Sequence, residues 1–194
     1  MELKGKRIIL ASNSPRRKEL LGGLDISFVV DTRNNFEEVY DPSTPHEKIP
    51  EVLSEGKSYG FHRELSEDEI LITSDTLVLC GSDVMGKPHS REEAFEMLRK
   101  LSGREHKVIT AITIRDNENC KTLSDTAIVH FKELSDNEIW YYIDNFKPFD
   151  KAGAYGIQEW IGYIGIGTID GSFFTIMGLP VHLVYKTLLE FIGR

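Results

Sequence analysis

The sequence has few cysteines, no long apolar run and no excess of basic charge, and each absence excludes a class of protein. Only two cysteines occur, Cys80 and Cys120, which excludes the disulfide framework of small secreted domains. We interpret both as packing residues. No apolar run approaches the roughly 20 residues that cross a bilayer, and the first residues lack the apolar core of a signal peptide. We therefore expect a soluble cytoplasmic protein with no membrane partner.

The charge balance of the chain is acidic. Its 23 Lys and Arg residues stand against 31 Asp and Glu residues, which gives a formal net charge of −8. A nucleic-acid polymer needs an extended basic surface, so the composition argues against such a partner. A small anion needs only a local group of Lys and Arg and remains compatible with the composition. The histidines and cysteines show no spacing typical of a zinc site.

The N-terminal stretch changes from a strand pattern to a helix pattern within fifteen residues. The apolar run stops at Ser12, after which Ser14 suits an N-cap and Pro15 suits the first helical position. The unpaired N–H groups and the positive dipole end of such a helix attract anions. Arg16 and Arg17 oppose that dipole unless something negative binds between them. The stretch predicts an anion site, and the alternative is a solvated basic first turn.

A polar interruption marks the apolar segment 69–80. The segment begins and ends as a buried strand, but residues 73–76 are all polar. A carboxylate placed there is costly to bury unless it is paired, hydrogen-bonded or bound to a metal ion. Asp75 is therefore the leading catalytic candidate. The alternative is that residues 73–76 form a loop between two short strands.

The rest of the chain alternates helix and strand patterns, which predicts a single α/β domain over residues 1–194 with a mixed, twisted sheet flanked by helices. Helices are predicted at about 15–22, 50–65, 90–101, 135–145 and 179–191, and strands at 26–30, 107–115, 122–131 and 172–177. Capping boxes are expected at Ser90 and Ser135. Residues 66–69 are interpreted as a solvated acidic turn. The glycines between 150 and 167 are interpreted as bends and close backbone approaches, because they fit neither a P-loop nor a dinucleotide fingerprint.

Five short motifs follow one another along the chain. They are Leu10–Arg17, Ser74–Thr76, Gly86–Pro88, Lys151–Gln158 and Gly178–Pro180. Together they resemble the Maf family over nearly the full length. The resemblance implies a two-lobed α/β fold with a central cleft, related to the inosine-triphosphate pyrophosphatases. It also implies hydrolysis of nucleoside triphosphates to monophosphate and pyrophosphate, a divalent cation such as Mg²⁺ or Mn²⁺, and a homodimer.

The resemblance assigns roles to single positions. Asp75 corresponds to the catalytic acidic residue of the family, proposed as the proton acceptor. The phosphate-binding positions of the family correspond to Ser12, Arg16, Arg17, Lys57 and Lys87. Glu38 falls where the family has a metal-binding glutamate, with Asp75 as a further ligand. The surroundings of Glu38 and Lys57 depart from the family pattern, and Glu37 is an alternative ligand.

Three positions separate the branches of the family. Here they are Arg16, Thr76 and Gln158, which is similar to the dTTP/UTP branch, whereas the 7-methyl-GTP branch has an aromatic residue, Gln and Glu. The amide of Gln158 offers a donor and an acceptor, as does the O4/N3–H edge of uracil and thymine. We expect substrate contacts from Thr76 and Gln158, and hydrolysis of dTTP, UTP or modified pyrimidine nucleotides at the α-phosphate.

Two other functions remain compatible with the sequence. One is a pyrophosphatase with a different base preference. The other is a nucleotide-binding regulator of septum formation and cell division, because the family name is associated with inhibition of septum formation. Metal-dependent hydrolysis would distinguish an enzyme from a regulator.

Overall fold

The computed structural model describes residues 2–193, which contain seven strands and seven α-helices. The strands are β1 (Arg7–Leu10), β2 (Phe28–Val30), β3 (Glu69–Cys80), β4 (Asp83–Met85), β5 (Glu105–Arg115), β6 (Cys120–Phe131) and β7 (Ile166–Asp170). The helices are α1 (Pro15–Gly22), α2 (Ile49–Tyr59), α3 (Arg91–Leu101), α4 (Asp136–Phe146), α5 (Trp160–Gly165), α6 (Phe173–Met177) and α7 (Val181–Ile192). The predicted α/β class is confirmed. None of the described helices combines the length and the apolar character that a bilayer-spanning helix requires.

All seven strands belong to one mixed sheet. Its order is β2-β1-β3-β5-β6-β7, and β4 pairs with β3 outside this path. Strand β1 runs parallel to both β2 and β3, whereas the β3/β4 and β6/β7 pairs are antiparallel. Parallel neighbours need a crossover connection, and α1 supplies the one between β1 and β2. The expected mixed sheet is therefore confirmed.

The chain divides into two compact units. The first comprises the chain up to Asp75, Thr110–Asp125 and the chain from Gly178 on. The second comprises Thr76–Ile109 and Thr126–Met177. Two units agree with the two lobes that the motifs implied.

The core of the first unit is built around β1 and the first half of β3. Their sequences are near-continuous apolar runs, as expected of strands that are covered on both faces. Leu10 and Ile72 lie opposite each other in the parallel register and are fully buried. Burying each such side chain contributes about 1.5–3 kcal/mol to folding. This rigid pair of strands positions the residues that follow Leu10 and Ile72.

In the second unit, α3 packs against α4. Ala94, Leu98 and Leu101 recur at helical spacing and are buried. Phe95 stacks on Trp140 of α4, with ring centroids 4.3 Å apart. The Arg91 guanidinium lies 3.9 Å from the centroid of the same indole. Aromatic and cation–π contacts thus extend the apolar stripe of α3.

Serine side chains cap three helices as the sequence predicts. Ser14 accepts a hydrogen bond from the N–H of Arg17 at the start of α1. Ser135 forms a complete capping box with Glu138 at the start of α4. At Ser90 only half of the predicted box forms, because the Glu93 carboxylate accepts from the N–H of His89 instead.

Several element predictions are wrong. Helix α2 ends at Tyr59, not near residue 65, because Gly60 follows it and Phe61 turns into the core. Residues 172–177, the predicted last strand, contain the short helix α6. The last strand is β7, which contains Gly167, one of the glycines that were interpreted as bends. Strand β7 lies at the sheet edge and is mostly exposed, so it lacks the apolar alternation that identifies a strand.

Two residue predictions are also wrong. Cys120 is exposed and is not a packing residue, whereas Cys80 is buried as expected. Glu69 belongs to the predicted solvated turn but is only 3% exposed. Its carboxylate accepts hydrogen bonds from Arg63 (2.6 Å) and Arg7 (2.9 Å). The hydrogen bond from Arg63 is the main cause that lowers the pKa of Glu69 to about 2.

Candidate active site

The polar residues at the centre of β3 do not interrupt the strand. The Thr73 hydroxyl donates to the carbonyl of Ser54 (2.7 Å), and the Ser74 hydroxyl donates to the carbonyl of Gly178 (3.2 Å). Because these hydroxyls are hydrogen-bonded, they are tolerated inside the fold. The alternative of a loop between two short strands is therefore wrong. Asp75 lies on a continuous twelve-residue strand.

Lys57 brings two carboxylates together. Its Nζ lies 2.6 Å from Oδ1 of Asp75 and 3.0 Å from Oε1 of Glu38. Lys57 is on the last turn of α2, and its side chain and that of Asp75 are 19% and 14% exposed. A charge-assisted pair with so little access to water is stronger than a surface ion pair. Glu38, and not Glu37, is the loop glutamate that reaches Lys57.

The loop that carries Glu38 is held on α2 by an aromatic ring. The ring of Phe36 lies over Gly56, where a Cβ would come 2.3 Å from its Cζ. A Cβ on Gly60 would come 2.5 Å from the Cβ of Phe36. Both glycines therefore make room for Phe36. This contact explains why α2 tolerates Gly56, a residue that weakens a helix.

Asn34 completes the attachment of this loop. Its Oδ1 accepts from the N–H of Phe36 (2.8 Å), and its Nδ2 donates to the carbonyl of Lys57 (2.6 Å). Sequence reasoning did not identify Asn34 or Phe36. The signal that was present is the pair of glycines four residues apart, Gly56 on α2 and Gly60 directly after its end.

Arg17 joins β3 to the segment before α7. Its Nε donates to the carbonyl of Gly178 (2.8 Å) and its Nη1 donates to that of Ser74 (2.9 Å). Burial lowers the pKa of Arg17, and the carboxylate of Asp75 partly offsets this effect. The Arg16 charge lowers that pKa further, and the Glu38 charge raises it. Arg17 thus anchors the backbone beside Asp75 while adding positive charge there.

Ser12 and Ser74 lie at the same level of the sheet, because each comes two residues after one member of the register pair Leu10 and Ile72. The N–H of Ala11 donates to the carbonyl of Ile72 (2.9 Å), which extends the parallel pairing towards Ser12. Ser12 is buried, and its hydroxyl accepts from the N–H of Ser14 (3.2 Å). The first unit therefore contains most of the expected site residues, namely Ser12, Arg16, Arg17, Glu38, Lys57 and Asp75.

The other expected residues belong to the second unit. Thr76 follows Asp75 on β3 and is half-buried, and Lys87 is exposed after β4. Gln158 is half-buried beside an open pocket of about 410 Å³, which Tyr163 and Phe173 also line. Within residues 2–193, the buried Oε1 of Gln158 has no hydrogen-bond partner. An unpaired buried acceptor is costly, so it indicates a place for a ligand N–H group.

The carboxylates of Glu38 and Asp75 suit a hard divalent cation. Both reach one point, the Nζ of Lys57, and carboxylate oxygens are the ligands that Mg²⁺ and Mn²⁺ prefer. The described residues contain no cluster of three or more His, Cys, Asp or Glu side chains that could hold a metal ion. Mg²⁺ is commonly bound through one or two carboxylates together with substrate phosphates and water. The donor set here fits that mode of binding.

Proteins with similar sequences match this chain over nearly its full length. A Porphyromonas gingivalis protein named dTTP/UTP pyrophosphatase is 46% identical over 191 residues, which cover 97% of this chain and 96% of that protein. A Parabacteroides distasonis protein of the same name is 48% identical over 189 residues, which cover 97% of this chain and 98% of that protein. A solved HAM1 protein from Coxiella burnetii aligns with a TM-score of 0.41 and 13% identity, covering 65% of this chain and 73% of that one. The model of the Maf family, described as Maf-like protein, matches residues 7–191, and the chain therefore belongs to the Maf family.

Proposed function

We propose that this protein hydrolyses dTTP and UTP, and modified pyrimidine nucleotides, to the nucleoside monophosphate and pyrophosphate. Relatives 46% and 48% identical carry the name dTTP/UTP pyrophosphatase. The observation that carries the proposal is the arrangement around Asp75. There a carboxylate on a rigid strand is bonded to Lys57, next to a second carboxylate and the anchored guanidinium of Arg17.

In this mechanism the cationic side chains bind the triphosphate. Arg16, Arg17 and Lys57 offset the negative charge of the phosphates, with Ser12 as a hydroxyl donor and Lys87 as a further cation. Because the guanidinium of Arg17 is already fixed by two backbone carbonyls, it loses little freedom when a phosphate binds. Fixed positive groups stabilise the charge that develops on the α-phosphoryl group.

Asp75 is the proton acceptor in the proposed reaction. The oxygen of a water molecule forms a bond to the α-phosphorus while the bond to the bridging oxygen of the β-phosphate breaks. The water proton passes to the carboxylate, and pyrophosphate leaves with the bridging oxygen. The hydrogen bond from Lys57 holds the Asp75 carboxylate in one orientation during this step.

Glu38 and Asp75 are the residues that would hold Mg²⁺ or Mn²⁺. A bound divalent cation would neutralise phosphate oxygens and lower the pKa of a coordinated water molecule. The Phe36 contact with α2 supports the loop that places Glu38 within 3.0 Å of the Nζ of Lys57.

Base preference is assigned to Arg16, Thr76 and Gln158. The unpartnered Oε1 of Gln158 supports this assignment, because the N3–H of uracil or thymine is a donor that would pair with it. The Nε2 group of the same amide would donate to O4 of the base. A base without this edge would leave buried polar groups unpaired and bind less well.

Pyrophosphate release from a panel of nucleoside triphosphates tests the proposal. We expect turnover of dTTP and UTP with Mg²⁺ or Mn²⁺, and a decrease of about 10²–10⁴-fold in Asp75→Ala, the usual effect of losing a general base. Near-normal turnover by a folded Asp75→Ala variant would contradict the role of Asp75. A panel without preference for uracil or thymine would contradict the substrate, and nucleotide binding without metal-dependent hydrolysis would favour the regulatory alternative.

We also propose that the protein is a homodimer and acts in the cytoplasm. The resemblance of the motifs to the Maf family supports the dimer, and the nucleoside triphosphate pool on which the enzyme would act supports the location. Light scattering of the purified protein measures the oligomeric state, and a single mass of one chain at micromolar concentration would contradict the dimer.

A further inference from the structure

A buried polar network holds the glycine-rich segment of the second unit. The Nζ of Lys151 lies 2.7 Å from Oδ1 of Asp150 and 3.1 Å from Oε1 of Glu159. The hydroxyl of Tyr142 donates to Oε2 of Glu159 and accepts from the N–H of Gly156 (2.9 Å). The Lys151 side chain is only 8% exposed and Tyr142 is fully buried. The proposed reaction uses none of these groups.

The network fits the backbone closely. A Cβ on Gly156 would come 2.8 Å from the carboxyl carbon of Glu159, so a larger residue would displace this carboxylate. Burial, followed by the hydrogen bond to Glu159, raises the pKa of Tyr142, so its hydroxyl keeps its proton. A buried network in which each member is bonded makes its surroundings rigid.

Gln158 lies inside the stretch of chain that this network holds. The N–H of Gly156 donates to the hydroxyl of Tyr142. Glu159 follows Gln158, and its carboxylate accepts from Tyr142 and forms an ion pair with Lys151. The N–H of Glu159 also donates to the carbonyl of Gly156 (3.0 Å), which closes a turn around Gln158. These bonds fix the backbone position of Gln158, although Oε1 of its side chain has no partner among the described residues.

Recognition of uracil by an amide requires such a fixed position. Uracil and thymine present a donor at N3–H and an acceptor at O4. Cytosine presents the reverse pattern, with a donor at the N4 amino group and an acceptor at N3. An amide on a mobile backbone can turn and pair with either edge, so discrimination between them requires that the backbone at Gln158 be held.

We propose that Tyr142, Lys151 and Glu159 are positioning residues that fix Gln158 and thereby set the preference for uracil and thymine over cytosine. The proposal rests on the proposed function, in which Gln158 contacts the base. These three residues act through Gln158 and do not touch the substrate. Their loss should therefore change the choice of base more than the rate of the chemical step.

Tyr142→Phe and Tyr155→Phe form a matched pair for the test. Each removes the hydroxyl of a buried tyrosine in the second unit, and the hydroxyl of Tyr155 lies 2.7 Å from Nε2 of His106. Of these two hydroxyls, it is that of Tyr142 that bonds Gly156 and Glu159. The ratio of kcat/KM for UTP to that for CTP measures discrimination during turnover. Calorimetric Kd values for the α,β-imido analogues of UTP and CTP, which cannot be cleaved between those phosphates, measure it without turnover.

We expect Tyr142→Phe to lower both ratios at least tenfold while kcat for UTP changes less than threefold, and Tyr155→Phe to keep both ratios. Lys151→Met should behave like Tyr142→Phe, and Lys151→Arg should restore much of the preference because it keeps the charge. If Tyr142→Phe does not fold, Glu159→Gln replaces it, since this change removes the ion pair but keeps an acceptor for Tyr142.

Unchanged ratios in Tyr142→Phe would overturn the proposal, and so would an equal loss in Tyr155→Phe, which would indicate general loosening. Equal binding of both analogues by the wild-type protein would overturn it too. Failure of the proposed function gives a different result. In that case the wild type releases no pyrophosphate, yet the analogue ratios still show whether Tyr142 controls the preference.

Discussion

Lys57 forms ion pairs with two carboxylates through one ammonium group. Its Nζ lies 2.6 Å from Asp75 and 3.0 Å from Glu38, and these contacts use carboxylate oxygens that a divalent cation would also need. The same side chain is proposed to bind phosphate. Lys57 therefore affects both the turnover and the affinity of the site for a cation.

Replacement of Lys57 by Met separates these two effects, because Met keeps the length of the side chain without its charge. We expect Lys57→Met to lower kcat/KM for dTTP by about 10²-fold, the usual cost of one lost electrostatic donor. We also expect it to bind Mn²⁺ more tightly, since no ammonium competes for the two carboxylates. Electron paramagnetic resonance of free Mn²⁺ measures the affinity without substrate. Lys48→Met, which changes a lysine bonded to Glu51, is the control, and weaker Mn²⁺ binding by Lys57→Met would contradict the prediction.

The sequence predicted the composition of the site better than its geometry. Asp75 was predictable because a carboxylate in an apolar strand is exceptional. The choice between Glu37 and Glu38 was not predictable, because neither residue lies in a helix or a strand. The packing of Phe36 on α2 decides which of the two reaches Lys57. The roles of Tyr142 and Glu159 depend on side chains distant along the chain, and no local pattern shows them.

Helix α2 and the loop before it form one structural element through Phe36. Gly56→Ala tests this contact, because Ala favours a helix by about 1 kcal/mol over Gly, whereas the new Cβ would come 2.3 Å from the ring. We expect the clash to dominate, with a net loss of about 1–3 kcal/mol in the free energy of unfolding, as in other overpacked sites.

Chemical denaturation measures this loss, and Phe36→Ala in the same chain should recover most of it. Gly22→Ala is the control, since a Cβ there would meet no atom within 4 Å. Increased stability of Gly56→Ala would show that the ring moves away without cost, and the docking of the loop would then be weak.

Helix starts were more predictable than strand positions. Ser14, Ser90 and Ser135 cap their helices because a hydroxyl before an apolar periodic stretch is a local signal. Strand β7 was missed because its pairing with β6 is a long-range contact and its exposed residues carry no periodicity. The end of α2 was missed because it depends on the burial of Phe61.

At the scale of the whole molecule, buried His106 makes stability depend on pH. The side chain is 2% exposed, and Nδ1 lacks a hydrogen-bond partner within residues 2–193. Burial is the main cause that lowers the pKa of His106 from 6.5 to about 4, and the charge of His130 contributes. As the pH falls below 6.5, the unfolded chain binds a proton that the folded protein resists, so stability decreases until about pH 4.

We expect the free energy of unfolding to decrease by on the order of 3 kcal/mol between pH 6.5 and pH 4. His106→Phe should remove this slope whatever its effect at neutral pH, and His182→Gln controls for the loss of an exposed histidine. Denaturation at each pH measures the slope. Glu69 makes stability depend on pH in a lower pH range. Its pKa in the folded protein is about 2, so stability is lost as the pH falls from 4.5 towards that value. A slope that persists in His106→Phe above pH 4.5 would contradict the assignment.

The ring of Phe36 over Gly56 has an evolutionary consequence. Gly56 cannot acquire a methyl group while the aromatic ring remains, and the ring cannot pack on a helix that already has alanine at this position. Positions 36 and 56 should therefore change together among homologous sequences, with glycine at 56 accompanying an aromatic loop residue and alanine accompanying a smaller one. Such covariation would divide the homologues into two lineages by how they attach the glutamate loop, independently of the nucleotide that each prefers.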